Sequence, residues 1–485
     1  MNILLFIKIA IIVISGMILI ASAVKRPNLA GFFEKAGLFG IFLFALFIPI
    51  KDGFAIFGMV VTIAFFIAYK VAKRDASIPK TGFNIPILIY TGIVIASFFW
   101  TYSIKDSFNQ GGEIVYFILF FFASASLLKT KKRIDFMVHT FTFSISIAIV
   151  YGLFQGIFIN ALHSPNRLTG LIGNWTGFPV QVSYGLIVII VYYLINFKKQ
   201  NIKESKYSLK KLFSLIGSFV KGFRKIPSLM LSFFFVILVL AGFLDIIFSK
   251  ARSAWIGIIP AILVLMYLRS KRFFLAVLVL LLVLNIGIFF VSKTFKSRML
   301  AMFNAKIYKM ELKSHGDIES HLALIKSAWT VFKRFPLTGV GVGAFSKYFD
   351  EHKGVRYPWY YNRKTGKKLY DLYDNWPENG YMQTLAETGI FSFISLMWLF
   401  FLALKKPFNL FVNSDDKFKR KIAAMTLGVS IVFYGSFAGV SNMSNDQLTN
   451  LWLFFLALFA ATSLMPQSIS KSKDFQNQNY VVSEK

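Results

Sequence analysis

The sequence has no cysteine among its 485 residues. Disulfide bonds, thiol nucleophiles, iron–sulfur clusters and thiolate zinc sites are therefore all excluded. Histidine is also scarce, because only five are present and no two of them have the His-Glu-x-x-His spacing of a helical zinc site. We therefore expect no catalytic metal bound by the protein.

Charged residues are scarce as well. They make up 16% of the chain, against about 25% in ordinary globular proteins, while hydrophobic residues reach 56% and the mean hydropathy is +0.62. Apolar runs of about 20 residues recur along the chain, and each is long enough to cross a hydrocarbon core about 30 Å thick. The composition excludes an intrinsically disordered chain, a fibrous protein and a soluble enzyme of several domains. It predicts an integral membrane protein with many spans.

Acidic residues are few, since 22 Asp and Glu against 54 Lys and Arg give a net charge of +32. In a soluble protein this excess would indicate nucleic-acid binding. Here the basic residues cluster in short loops between apolar runs, as the positive-inside rule describes. We therefore expect membrane lipids with anionic head groups to be the partners of these loops, and no nucleic acid.

The predicted fold is all-α: a polytopic transmembrane helical bundle of about 12–14 spans with one large extracytoplasmic loop domain. The predicted spans lie at about 3–23, 36–52, 53–70, 83–101, 113–129, 134–160, 178–197, 228–248, 253–269, 272–292, 387–405, 421–440 and 446–465. The chain then divides into five regions, namely N-terminal spans (1–160), central spans with a basic cytoplasmic loop at 198–226 (161–292), the loop domain (293–387), C-terminal spans (388–465) and a disordered polar tail (466–485).

The basic residues also predict the orientation of the bundle. Groups of Lys and Arg fall in alternate loops, at 25–26, 70–80, 129–133, 198–226, 269–272 and 405–421. All of these loops therefore lie on one side of the membrane, which we predict to be cytoplasmic. The loop 160–177, the turn around Arg252 and the segment 293–387 then face outward.

The segment 293–387 is unusually long for a loop, and this length predicts a functional region. Its many Tyr and Trp residues suit stacking on sugar rings, and they equally suit a position at the membrane interface. An amphipathic helix is predicted at 318–334, packed on the bundle or lying on the membrane, and Pro336 ends it. Its apolar stripe consists of Leu322, Ile325, Trp329 and Phe332.

A glycine-rich segment follows this helix, with the sequence PLTGVGVGAF at 336–345. Gly339, Gly341 and Gly343 permit tight turning and close approach of another backbone. The segment lacks the strand, helix and acidic residue of a dinucleotide-binding fingerprint. Two interpretations stay open: a turn after the amphipathic helix, and a contact with phosphate or sugar.

A polar stripe leads into the next span. Asn379, Gln383 and Glu387 follow one another at intervals of four residues, and polar groups that enter a bilayer are costly unless they are paired or face water. The stripe is therefore predicted to line a cavity. Glu378 has two interpretations, because it completes a capping box if Asn375 is the N-cap, or it serves as a catalytic base.

Two arginines in outward loops are candidates for phosphate binding. Arg252 lies between two spans in SKARSAW (249–255), and Arg167 lies in the loop 160–177. Arginine stays charged and can bind phosphate through two parallel hydrogen bonds. Lys250 beside Arg252 departs from the positive-inside pattern, which favours a functional role over simple anchoring at the interface. Asp245, one or two helical turns away, is a candidate to pair with Lys250 or Arg252.

These segments resemble the O-antigen ligase / O-antigen polymerase family. Residues 249–255 resemble its Ser-Arg-containing segment, and residues 336–345 resemble its Pro-Leu-x-Gly-x-Gly-x-Gly-x-Phe stretch. Residues 378–389, which include Tyr381, resemble its Asn-x-Tyr-Leu-Gln-x-x-x-Glu-x-Gly stretch. The order of the motifs and the long loop that holds the last two are also similar, so that the resemblance covers residues from about 160 to about 400.

The resemblance implies a glycosyltransferase of the bacterial inner membrane. It would take a glycan from an undecaprenyl-diphosphate carrier on the periplasmic face, without a metal, a nucleotide sugar or any other cofactor. By this resemblance Arg252, Glu378 and Asn379 form the catalytic set, with Arg252 holding the donor diphosphate. The residues assigned to substrate binding are Arg167, Lys250, His321, Gly339, Gly341, Gly343, Tyr381, Gln383 and Glu387.

Two positions depart from the family's pattern. Glu378 stands where ligases typically carry a His as the proposed base, and a carboxylate is able to take that role. His321 stands where the family has a second arginine in the loop, and a neutral imidazole contacts phosphate only weakly. The first departure favours a polymerase over a ligase.

The sequence therefore predicts an enzyme that polymerises undecaprenyl-diphosphate-linked oligosaccharide repeat units into O-antigen, capsule or exopolysaccharide, with inversion at the anomeric carbon. The alternatives are an O-antigen ligase that transfers the glycan to lipid A–core, a lipid-linked glycan transporter (flippase) and a non-catalytic scaffold. Few charges within the spans and no inverted repeat disfavour the transporter. A chain-length regulator protein is a candidate partner of a polymerase.

Overall fold

The computed structural model describes residues 27–159, 168–194, 226–249, 251–272, 317–356, 377, 379–438 and 446–465, with fragments at 274–275 and 278–279. Every regular element within these ranges is a helix. The predicted all-α class is therefore confirmed for the described part of the chain.

Thirteen α-helices occur in the described ranges. They are α1 (Pro27–Phe47), α2 (Asp52–Lys73), α3 (Asn84–Ala96), α4 (Ile104–Leu127), α5 (Lys131–Phe154), α6 (Gly177–Ile189), α7 (Ile226–Ser249), α8 (Arg252–Arg269), α9 (Asp317–Arg334), α10 (Phe345–Arg356), α11 (Gly380–Asn413), α12 (Lys417–Phe437) and α13 (Asp446–Leu464). A 3₁₀ turn at Ser97–Phe99 extends α3, and π-helical turns extend α5 and α6.

Five of these helices, α1, α2, α4, α5 and α11, are long and apolar enough to cross a membrane. Five shorter apolar helices, α3, α6, α7, α8 and α13, accompany them. The protein is a multi-pass membrane protein, as its composition predicts. The predicted span at 3–23 and most of the predicted span at 272–292 lie outside the described residues.

Three helices begin at least seven residues earlier than predicted. The first, α1, starts at Pro27 and not at about residue 36, α4 starts at Ile104 and not at about residue 113, and α11 starts at Gly380 and not at about residue 387. The side chain of Ser103 caps α4 by accepting a hydrogen bond from the backbone of Asp106. A capped polar first turn extends the helix beyond the apolar run, and hydropathy alone does not detect it.

Helix α6 lies at the centre of the bundle. Every residue of α6 is buried, and α5, α7, α8 and α12 pack around it. Helices α8 and α12 cross closely where Gly257 and Gly435 meet. A Cβ on Gly435 would lie only 2.5 Å from the Cα of Gly257, so the absence of a side chain permits this approach. On the other side of α12, Phe433 stacks on Trp452 of α13 with 4.5 Å between ring centroids.

The bundle has two chemically different ends. Helix α4 runs from one to the other, and its 24 residues extend about 36 Å at 1.5 Å per residue. The basic end includes Lys129 and Arg133, which both bind Glu34, and Lys421, which donates to the carbonyl of Tyr192 at 2.7 Å. The loop end carries the α3–α4 corner (97–107), the glycine-rich segment and the start of α11. Several predicted basic loops thus lie together, as the positive-inside pattern predicts.

The described part of the predicted loop domain consists of α9, the glycine-rich segment and α10. These elements share a small apolar cluster that reaches α11 through Ala386. The predicted amphipathic helix is confirmed as α9, and the face that packs within the protein is centred on other residues than the predicted apolar stripe. Ala328 and Val331 are buried, whereas Trp329 of the predicted stripe is 42% exposed. The helix has apolar residues on two faces, and the smaller side chains are the ones that fit against the neighbouring segment.

Candidate functional site

The glycine-rich segment crosses the start of α11 at very short range. Gly339, Gly341 and Gly343 have φ angles of +66°, +99° and +74°, a region in which side chains are strained. A Cβ on Gly339 would lie 2.2 Å from the backbone carbonyl carbon of Glu387. The expected tight turning and close backbone approach are therefore confirmed.

The amides of this segment are used within the protein. Val340 N donates to the carbonyl of Ala386 at 3.0 Å, and Gly341 N donates to the carbonyl of Glu387 at 2.8 Å. Gly339 N is bonded to the carbonyl of Phe335. Because these N–H groups have backbone acceptors, they are not available to a phosphate. The geometry favours the interpretation of the segment as a structural turn.

Helix α11 is interrupted where the glycine-rich segment crosses it. Gly389 has φ 77° and ψ −173°, which is not helical. The break lets Ile390 N donate to the carbonyl of Pro336 at 2.9 Å, and a Cβ on Gly389 would lie 2.2 Å from the carbonyl oxygen of Leu337. The first two turns of α11 therefore form a unit with the glycine-rich segment.

The α3–α4 corner holds the opposite side of the glycine-rich segment. Trp100 donates its indole N–H to the carbonyl of Thr338 at 3.0 Å, and Tyr102 N donates to the carbonyl of Val340 at 3.0 Å. Ser107 donates its hydroxyl to the carbonyl of Val342. This corner was not predicted from the sequence, where its one visible signal is the run of polar residues after Trp100 at the end of an apolar run.

Glu387 and Gln383 are joined at the centre of this crossing. Gln383 Nε2 donates to Glu387 Oε1 at 2.9 Å, and the two residues are only 3% and 4% exposed. The backbone N–H groups of Gly343 and Phe345 also interact with the carboxyl group of Glu387. Gln383 and Glu387, the inner two residues of the predicted polar stripe, are thus paired with each other. The carboxyl group of Glu387 also holds the glycine-rich segment against α11.

Asn379 is the N-cap of α11. Its Oδ1 accepts from Met382 N at 3.0 Å, and its Nδ2 donates to the carbonyl of Ala438 at 2.7 Å. The predicted capping box with Asn375 as N-cap is therefore wrong, because the local cap is the Asn that starts the polar stripe. Tyr381, in the first turn of the helix, donates to the carbonyl of Tyr434. Both side chains fasten the start of α11 to the end of α12.

Ser249, the last residue of α7, is bonded to the residue that precedes α8. The hydroxyl of Ser249 donates to the carbonyl of Ile246 and accepts from the backbone N–H of Ala251. Helix α8 then begins at Arg252. Asp245, one turn earlier, is fully buried, and neither carboxyl oxygen has a hydrogen-bond partner among the described residues. Its predicted pairing with Lys250 or Arg252 involves side chains outside the described part.

The proposed phosphate clamp falls largely outside the described residues. Arg167, Lys250 and Glu378 are not described, and for Arg252 and His321 only the helical backbone is described. The structure therefore brings together the three glycines, Gln383 and Glu387, and it places Asn379 and Tyr381 at the same end of the bundle. The arginine clamp stays a prediction.

The aromatic residues of this region differ in accessibility. Tyr348 is 1% exposed and lies between Tyr102 and His352, with ring centroids at 4.7 and 4.3 Å. Burial raises the pKa of the Tyr348 phenol. This ring is part of the core and is not available to a sugar, whereas Trp329 is accessible. Within the described part, no three His, Asp or Glu side chains converge on a position that could hold a metal.

The bundle, its apolar helices and the crossing at its loop end define a helical multi-pass membrane protein with a polar site region at one end. Residues 236–397 match the model of a family described as O-Antigen ligase. This match confirms the resemblance for the region from α7 to the middle of α11 and supports its assignment to the O-antigen ligase / O-antigen polymerase family. The expected start of the resemblance at about residue 160 lies outside the match. No curated protein matches the chain.

Proposed function

We propose that this protein is a bacterial inner-membrane glycosyltransferase that polymerises undecaprenyl-diphosphate-linked oligosaccharide repeat units on the periplasmic face. The observation that carries the proposal is the family match over residues 236–397. That region contains the start of α8 at Arg252, the glycine-rich segment and the polar stripe of α11. The contacts between the last two support their acting as one unit.

In the proposed reaction a hydroxyl group of the acceptor sugar attacks the anomeric carbon of the donor glycan. The bond between that carbon and the diphosphate oxygen breaks, and the diphosphate leaves with the electron pair. Arg252 stabilises the negative charge that develops on the leaving group. Glu378 takes the proton from the attacking hydroxyl. Attack from the face opposite the leaving group inverts the anomeric configuration, and no step uses a metal or a nucleotide.

A ligase is the second candidate, because the matched family is described as O-Antigen ligase. It would transfer the same glycan to lipid A–core. The carboxylate at position 378, where ligases typically carry His, favours the polymerase. The products of the two reactions differ, so one assay can separate them.

The test uses the purified protein in liposomes with one undecaprenyl-diphosphate oligosaccharide repeat, without nucleotide or added metal. A polymerase gives a ladder of lipid-linked products on a gel. Arg252→Ala is expected to lower the rate by about 10²–10³, the effect of removing one charge-stabilising donor. Arg252→Lys is the control that keeps the charge and loses the bidentate geometry.

The outcomes separate the candidates. A single transfer that requires lipid A–core would identify a ligase and overturn the polymerase. Full activity of a folded Arg252→Ala protein would overturn the role of this arginine. The length distribution of the ladder also shows whether a separate chain-length regulator protein is needed.

A further inference from the structure

A groove lies between α2 and α4 at the basic end of the bundle, with a volume of about 390 Å³. Its apolar wall consists of Phe66, Ile67, Val71, Leu119 and Phe122. At its rim, the end of α2 and the residues that follow it contribute the polar side chains of Lys70, Arg74, Asp75 and Ser77. The groove therefore combines an apolar interior between two membrane-crossing helices with a polar mouth.

One positive charge on this rim is neutralised within the protein. Lys70 Nζ binds Asp75 Oδ2 at 2.6 Å and donates to the carbonyl of Ser77 at 2.8 Å. The hydrogen bond from Lys70 holds the pKa of the Asp75 carboxyl well below its ordinary value. Lys70 and Asp75 thus form a pair with no net charge.

Arg74 supplies the net charge of the rim. It lines the groove, its side chain is exposed, and no ion pair among the described residues includes it. Among the described residues other than glycine, Arg74 is the one with a positive φ, at φ 51° and ψ 39°. Its backbone N–H caps α2 through the carbonyls of Lys70 and Val71. A left-handed conformation is unfavourable for arginine, so the fold holds this residue at the groove at some cost in free energy.

We propose that this groove binds one anionic phospholipid of the adjacent leaflet, with the lipid phosphate against Arg74 and an acyl chain along the apolar wall. Basic sites between membrane helices recognise anionic head groups in this way. A lipid-linked glycan is not the expected occupant. The glycine-rich segment and the start of α8 lie at the loop end. Leu119 of the groove lies 12 residues, or about 18 Å along α4, beyond Ser107, which binds the glycine-rich segment. A donor bound there would present its diphosphate at the opposite end of the bundle.

The test measures lipid retention by the full-length protein. The protein is extracted from vesicles of phosphatidylcholine mixed with phosphatidylglycerol, and the bound lipids are counted by native mass spectrometry. We expect the wild-type protein to retain phosphatidylglycerol in preference to phosphatidylcholine. Arg74→Gln should reduce this preference about fivefold, the effect of one basic residue near a lipid surface. Lys132→Gln is the matched control, because Lys132 is exposed near the same end and does not line the groove.

A second variant tests the acyl-chain part of the proposal. Leu119→Trp fills the groove and should remove retention of the lipid without removing Arg74. An equal loss in Lys132→Gln and Arg74→Gln would overturn the site, since the preference would then reflect general surface charge. Unchanged retention in Leu119→Trp would overturn it as well. Displacement of the retained phosphatidylglycerol by inorganic phosphate would overturn the proposal by identifying a phosphate site and not a lipid site.

Discussion

The two ends of the bundle are held together by different kinds of contact. At the basic end, flexible charged side chains connect the helices, as when Arg133 and Lys129 bind Glu34 at 2.6 and 3.2 Å. At the loop end, three separate segments meet through backbone hydrogen bonds, and glycines allow the backbones to approach each other. A side-chain contact tolerates adjustment, whereas at this backbone crossing a Cβ added to Gly339 would lie only 2.2 Å from a backbone atom of Glu387. We therefore expect the loop end to be far more sensitive to small substitutions.

The largest effect is expected from Gly339→Ala. The new Cβ would collide with the backbone of Glu387, and the residue would keep φ +66°. Strain and overpacking together should destabilise the protein by about 3 kcal/mol. Thermal unfolding of the detergent-solubilised protein, followed by tryptophan fluorescence, measures the effect. Gly173→Ala is the matched control, because Gly173 has φ +72° but no neighbouring atom within 4 Å of its Cβ position. Equal losses in the two variants would show that the backbone crossing does not matter.

A somewhat smaller effect is expected from Glu387→Ala. It leaves the amide of Gln383 buried without its partner, which costs about 1–3 kcal/mol. A double-mutant cycle with Gln383→Ala should give a coupling energy of at least about 0.5 kcal/mol from unfolding midpoints. Additive losses would contradict the pairing. Glu351→Ala, on the exposed surface of α10, should change the midpoint little.

At the basic end, Glu34→Gln should have a modest effect. It weakens the contacts with Arg133 and Lys129, but the three side chains are 18–42% exposed. Water and salt weaken such pairs, so the loss should be about 1 kcal/mol or less and should shrink as ionic strength rises. Unfolding at low and high salt measures it, with the exposed Lys35→Gln as control. A loss as large as that of Gly339→Ala would remove the contrast between the two ends.

The smallest effect on stability is expected from Asp75→Asn. The lowered pKa of Asp75 means that its pairing with Lys70 stabilises the fold above the ordinary aspartate pKa of about 3.9. This contribution is lost as the pH falls through the lower pKa of the folded state. Wild type and variant should therefore converge in unfolding midpoint at strongly acid pH. The variant should also free the positive charge of Lys70 and so strengthen retention of phosphatidylglycerol. Weaker retention would contradict the view that Asp75 neutralises Lys70 at the rim of the groove.

Most helices of the bundle were predictable because a membrane span is a local property. A long apolar run must hide its backbone polar groups in a helix wherever it crosses the bilayer. Errors arose where polar residues decide the outcome. Ser103 adds the polar first turn of α4, and Asn379 displaces the predicted cap of α11. Helix α9 was predicted correctly, but its buried face depends on which neighbour it meets, and the helical period alone does not supply this.

In the candidate site, too, the residues were predictable from the sequence but their contacts were not. The glycines, Gln383 and Glu387 stand out in the sequence by residue type and spacing. Their role as one crossing depends on partners far away in the chain, such as Trp100, whose indole bonds to Thr338 across 238 positions. The α3–α4 corner carried too little local signal to be joined to a loop from the other half of the protein.

The sequence by itself determined that the protein is a helical membrane protein with a basic side, because span length and loop charge follow directly from residue order. It also supplied the three motifs at 249–255, 336–345 and 378–389, all of which lie within the family match at residues 236–397. Only the tertiary structure decided that the glycine-rich segment packs between α11 and the α3–α4 corner, and that α2 and α4 leave a groove beside Arg74. Such contacts join distant segments, and their geometry depends on how whole helices pack against one another.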